Sequence, residues 1–231
     1  MHLHRVEALS DSTFAVALTL LIFDVRVERP RVNGVSHDLW FNEWPHYVGY
    51  LVSFVVIGMI WMNHHAVFRM LRRIDHAGMV LNLALLGLVV FIPFPTQTLA
   101  TYLAAYPQRG DLVTSFYGLM LAACTLMLAV LWHHLERRPD LLRSGDDPTT
   151  LRHLTRRLYV TPLLYLAAAA LSLLDHWVGV VLYAAIACGY LLHTGTRAFP
   201  SEADESTPDA GVGGVDPVEA VPAPTSPPTP A

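Results

Sequence analysis

The first apolar stretch of this 231-residue chain carries charged and hydroxyl groups where a purely apolar segment has none. Arg5, Glu7, Ser10 and Asp11 stand at the entrance of RVEALSDSTFAVALTLLIFDV, residues 5–25. In hydrocarbon an ionisable side chain costs roughly 2.5–3.5 kcal/mol on insertion scales, so it faces a bundle interior or a water-filled path. Two chemistries fit. Asp11 with His64 or His65, from WMNHHAVFR, has the makings of a proton relay. Alternatively Arg5, Ser10 and Asp11 form a buried polar network with His64 or His65 and Asn82, all at similar depth on consecutive apolar segments. Metal chemistry fits poorly. Adjacent histidines on a helix point about 100° apart, and neither H-x-x-x-H nor H-E-x-x-H occurs. His133-His134, at the end of the fourth apolar segment, reads as an interfacial polar cap. Walker loops, dinucleotide glycine fingerprints and G-x-S-x-G elbows do not occur, so no enzyme chemistry, organic cofactor or nucleic-acid site is expected.

A second pattern lies on the same helix. Ser12, Val16, Thr19 and Phe23 are spaced i+4, i+3 and i+4, so they share one face. Periodicity alone favours an ordinary packing seam, with Ser12 and Thr19 bonded to neighbouring backbone. Asp11 projects to another side of the helix.

The elements that must position these groups are long apolar helices. The chain is 53% hydrophobic and 15% charged, with a mean hydropathy of +0.40. A soluble domain has a charged fraction of about 25%. Six apolar segments stand near 10–27, 46–68, 77–103, 113–135, 156–175 and 177–196. Each approaches the ~20 residues that span a bilayer. Trp40, Trp44, Tyr47, Tyr102, Tyr106, Trp132 and Trp177 gather at expected interfaces. Cys124 and Cys188 lie in apolar runs and read as core residues. All 15 basic residues are arginine. Eleven fall at the two ends and in the second–third and fourth–fifth connections, against four on the other side, so both termini are expected in the cytoplasm. The chain from 200 to 231 has eight of the 16 prolines and no aromatic residue. It reads as a disordered acidic tail, separate from a transmembrane domain over 1–199.

Arg5-Val-Glu-Ala-Leu9-Ser10-Asp11 resembles the R-x-x-x-F-S-D signature of the transmembrane protein 175 family, with leucine replacing phenylalanine. TFAVALTLLIFDV, WMNHHAVFR and NLALLGLVVFIPFPT (82–96) are similar to the bacterial members in the same order. The resemblance covers residues 4–100 closely. It implies an all-α polytopic fold, six helices per subunit, and a homotetramer around a central pore lined by the first helix. It implies a potassium channel without a TVGYG filter, in a bacterial inner membrane, whose ligands are permeating potassium ions. Counting from the aspartate, the family's pore positions fall on Val16, Thr19 and Phe23. The family's polar cluster is a structural lock, not an ion site. A proton-coupled transporter or proton channel using Asp11 and His64 or His65 is the alternative; a non-conducting scaffold leaves the polar first helix unexplained.

Overall fold

The structure, a computed structural model, describes residues 3–24, 44–105, 110–143 and 148–198. They form seven α-helices: α1 (Leu3–Leu20), α2 (Trp44–Arg69), α3 (His76–Phe91), α4 (Pro93–Ala105), α5 (Gly110–Glu136), α6 (Pro148–Leu171) and α7 (His176–Ala198). α1 ends in a 3-10 turn, Leu21–Asp24, and a second such turn, Pro139–Leu141, follows α5. The tail at 200–231, with Trp40 and Tyr106, lies outside the described residues.

The third apolar segment, expected as one helix over 77–103, is two. Pro93 has no N–H to donate, and its ring crowds the carbonyl four residues back. α3 therefore closes with Ile92 N–H on the Val89 carbonyl at 3.1 Å, an i to i−3 bond. α4 restarts at once, with Thr96 N–H on the Ile92 carbonyl at 3.1 Å. Ile92 keeps helical angles, so the break is one residue wide.

Among the described residues, 3–23, 44–69, 76–104 and 110–136 are long and apolar enough to cross a membrane. The fifth expected span is helical but starts at Pro148, not near 156. Arg152, Arg156 and Arg157 sit in its first turns, where apolarity alone does not reveal a helix. α7 is apolar over His176–Tyr190. Large apolar side chains lie bare on the outside of the bundle, among them Leu83, Leu112, Leu126, Leu163 and Leu174. A protein in water rarely presents so much contiguous apolar surface; against lipid tails it costs nothing.

α5 is the central post. It packs along α6 and also touches α3, α4 and α7, burying Tyr117, Leu121, Leu128, Leu131 and Trp132. Two glycines permit the closest crossings. A Cβ on Gly118 would overlap the Tyr183 hydroxyl of α7, and one on Gly179 would overlap Ser172. Small residues at helix crossings are how such bundles bring backbones together in lipid. Trp132 belongs to this core and not to the interfacial belt: its indole N–H bonds Thr155 Oγ1 at 2.9 Å. Of the two cysteines Cys124 is buried as expected, but Cys188 is exposed.

The connections meet at two ends. Trp44 stacks on Trp177 with centroids 5.1 Å apart, and Asp111 accepts from the backbone N–H of His176 at 3.0 Å. This joins the starts of α2, α5 and α7. At the other, arginine-rich end, the segment between α2 and α3 is stapled to the one after α5. Arg72 N–H bonds the Leu141 carbonyl at 2.8 Å and Arg143 N–H the Met70 carbonyl at 2.9 Å. Arg73 pairs with Asp140 at 2.6 Å. His134 contributes as the polar cap expected of it, bonding Asp75 at 2.9 and 3.0 Å. His133 meets the Tyr159 hydroxyl at 2.7 Å.

Asp75 is the N-cap of α3 and accepts from Gly78 N–H at 2.9 Å. Burial pushes its carboxyl up, but the Gly78 N–H, His134 and Arg138 together hold it below the ordinary carboxylate value. Its folded pKa therefore lies below its unfolded one. Its contribution is full above the unfolded pKa of about 3.9 and is lost as pH falls through the lower folded value. Asp75→Ala should cost about 1 kcal/mol or more, the usual loss for an N-cap. Thermal unfolding in detergent at pH 7 should show the deficit, and at pH 3 the gap between parent and variant should shrink.

Candidate functional site

α1 packs on α2 and α3 and presents two different faces. Val6, Ser10, Phe14, Ala17 and Leu21 are buried, at steps of four, four, three and four. This is the helical period turned toward the subunit's own core. Ser10 is the polar member, fully buried, its hydroxyl donating to the Val6 carbonyl at 2.9 Å. Asn82 of α3 donates its amide N–H to the Ser10 hydroxyl oxygen at 3.0 Å. The Asn82 carbonyl oxygen lies 2.8 Å from Nε2 of His64 on α2. That distance requires the imidazole to carry its proton on Nε2 and donate. One chain of hydrogen bonds thus ties three helices, with every member buried. His64 is clasped between two rings, Phe14 at 5.3 Å and Phe68 at 4.2 Å.

The other charged groups of α1 engage elsewhere. Asp11 accepts from the Trp61 indole N–H at 2.9 Å. Glu7 stands 3.8 Å from Nδ1 of His65, and His65 stacks on Trp61 at 5.8 Å. Arg5 is exposed on the outer side of the helix. The structure therefore brings Ser10, His64 and Asn82 together. Asp11, His65 and Arg5 lie outside that chain, with Asp11 and His65 gathered on Trp61. Trp61 was not singled out from sequence. Its signal was its place in WMNHHAVFR, four residues before His65 on the same face. A second buried cluster was also missed: Ser53 Oγ lies 2.7 Å from Thr96 Oγ1 and 2.8 Å from the Tyr117 hydroxyl, joining α2, α4 and α5.

The opposite face of α1 is bare. Ser12, Val16, Thr19 and Phe23 are all exposed, Val16 by 51% and Phe23 by 72%. Phe23 lies in the 3-10 turn, so the outer end of the row is wound more tightly than an α-helix. Ser12 and Thr19 do not reach a neighbouring backbone. Each hydroxyl donates to its own helix, Ser12 to the Ala8 carbonyl and Thr19 to the Val16 carbonyl, both at 2.8 Å. Their oxygen lone pairs are left facing outward. Leu18, by contrast, packs against the core. Among the described residues, no group of three or more His, Cys, Asp and Glu side chains is placed to hold a metal ion.

Asn82→Ala removes the middle of the polar chain and strands the His64 ring nitrogen in the core. The expected cost is roughly 1–3 kcal/mol, the range for an abandoned buried partner. Thermal unfolding in detergent checks it, with Ser12→Ala as the exposed comparison that should change little. An Asn82→Ala protein as stable as the parent would show that the chain of bonds holds nothing.

Residues 5–93 match the family described as "Endosomal/lysosomal potassium channel TMEM175". A potassium channel of Streptomyces collinus is 42% identical over 151 residues, covering 64% of this chain and 71% of that one. A potassium channel of Chamaesiphon minutus is 37% identical over 179 residues, covering 76% of this chain and 87% of that one. The crystal structure of a lysosomal potassium-selective channel TMEM175 homolog from Chamaesiphon minutus superposes with a TM-score of 0.72 at 34% identity. It covers 83% of this chain and 97% of that one. These likenesses span nearly the whole helical bundle, well beyond the three short motifs. The chain is a multi-pass membrane protein and belongs to the TMEM175 family.

Proposed function

We propose that this chain is the subunit of a homotetrameric, modestly potassium-selective channel, with the bare face of α1 turned to the fourfold axis. The observation that carries the reading is the row of Ser12, Val16, Thr19 and Phe23, exposed on a helix whose other face is locked into the subunit. Bare apolar side chains sit well against lipid tails, but the hydroxyls of Ser12 and Thr19 on the same face suit an axis shared by copies of the chain better than hydrocarbon. The solved relative from Chamaesiphon minutus is described as potassium-selective, which supports the same assignment. The protein would sit in a bacterial inner membrane with both termini inside, as the arginine balance directs.

On that axis the chemistry is simple. Four Val16 side chains supply no ligand and oppose a hydrated ion by dewetting. Four Thr19 oxygens, with their hydrogens already donated to Val16 carbonyls, present lone pairs to a cation that has shed water. Potassium sheds its shell more readily than sodium, so the preference is real but modest. Phe23 narrows the outer end.

The proton reading gains less. Asp11 is bonded to Trp61 and His64 to Asn82, which separates that pair; His65 shares Trp61 with Asp11, but by ring stacking and not through a hydrogen bond. Potassium efflux from proteoliposomes with proton gradients collapsed decides between them. Flux that persists supports the channel; flux that needs a proton gradient overturns it.

Replacing Val16 by Asn should wet the constriction, raising conductance severalfold while eroding selectivity. Thr19→Val keeps the shape and removes the oxygen, so the potassium-to-sodium permeability ratio should fall while current survives. Single cysteines at 16, 19 and 23, in a Cys188→Ser background, should react with small thiol reagents and block current. One at Leu18 should not. Block at Leu18 with 16 and 19 inert would mean that α1 faces the axis with a different side.

A further inference from the structure

Far from α1, a cavity of about 540 Å³ opens between α2, α6 and α7. Its mouth is basic. His153, Arg156 and Arg157 follow at i, i+3 and i+4, so they share one face of α6. The Arg157 guanidinium carbon lies 4.0 Å above the Tyr190 ring of α7. Among the described residues that line the cavity there is no carboxylate. Further along the same face the lining turns apolar. Val160 is 41% exposed and Leu164 is 47% exposed, and Ala66 and Met70 of α2 face them across the opening. From Arg157 to Leu164 the helix advances about 11 Å. The cationic end lies at the arginine-rich end of the bundle, and the apolar end points toward mid-membrane.

We propose that this cleft binds one anionic phospholipid, its phosphate at Arg156 and Arg157 and an acyl chain along Val160 and Leu164. Two guanidiniums beside an aromatic face make a planar, multi-donor cradle for phosphate oxygens. Basic pockets between helices at the cytoplasmic surface suit lipid headgroups for this reason. A soluble phosphate would use only the mouth. The apolar floor below it has no role for such an anion, whereas an acyl chain fills it. The proposal rests on the chain spanning a membrane and is independent of which ion it conducts.

The test is lipid retention by the purified full-length protein, read by native mass spectrometry after mixing with phosphatidylglycerol or phosphatidylcholine in detergent. The parent should retain phosphatidylglycerol preferentially. Arg156→Gln/Arg157→Gln should reduce that retention by about fivefold per charge removed and leave phosphatidylcholine unaffected. Gly189→Leu gives an independent arm. A Cβ at Gly189, which lines the cavity, meets nothing within 4 Å, so there is room there to begin a larger side chain that takes up cavity space. It should lower phosphatidylglycerol retention with the arginines intact. Arg72→Gln removes an exposed arginine from the α2–α3 connection and should change nothing. Retention unchanged in both cavity variants overturns the site. So does an equal loss in Arg72→Gln, which would mean diffuse charge attraction. Displacement of the lipid by millimolar inorganic phosphate alone would reassign the mouth to a soluble anion.

Discussion

No water inside a bilayer completes a hydrogen bond, so every polar atom at that depth must be answered by protein. The buried chain from Ser10 through Asn82 to His64 meets that demand and, in meeting it, fixes the rotation of α1 about its own axis. A helix has one azimuth. Once Val6, Ser10, Phe14, Ala17 and Leu21 face inward, Ser12, Val16 and Thr19 must face out. Apolar contact alone would not set this angle, because lipid tails are as apolar as the residues they replace. The polar contacts are directional, and a turn of one residue would leave Asn82 and His64 unanswered.

A second set of hydroxyls does the same at another depth. Ser53, Thr96 and Tyr117 tie α2, α4 and α5 about 16 Å along α2 from His64, taking eleven residues of rise. α2 belongs to both clusters. It is pinned near each end, toward α1 and α3 at one and toward α4 and α5 at the other. Between them the crossing helices close on glycine, as where Gly118 leaves room only for the Tyr183 hydroxyl. The bundle is held by few directional contacts and by close backbone approach, which suits a solvent that offers no hydrophobic drive.

Much of this is legible in the residues, because the signals are periodic or compositional. The outward row on α1 has a helical period, and the six apolar segments approach bilayer length, four of them reaching it among the described residues. The lock residues could be brought together by depth alone, but depth does not give azimuth. That is why Asp11, one residue from Ser10 and so about 100° around the helix, could not be separated from the lock by sequence. It meets Trp61 instead. The start of α6 was hidden because arginines in its first turns look like a loop when helices are sought by apolarity. Its guanidiniums extend along the helix surface and do not interrupt it. The third segment reads as one apolar run across Pro93, and whether the chain turns or merely restarts there depends on Ile92 keeping helical angles, which no local pattern states.

The back-bonded hydroxyls of Ser12 and Thr19 have one more effect. Each has spent its hydrogen on its own helix, so the surface it offers can accept but not donate. From Ser12 to Phe23, four such helices around the proposed axis would line it with oxygen and hydrocarbon and with no hydroxyl hydrogen directed inward. A chloride ion, which is held by donors, would find none there, while a cation would find only acceptors. The sign of the permeant charge would then be chosen without a carboxylate in the lining, by where two hydrogen atoms point.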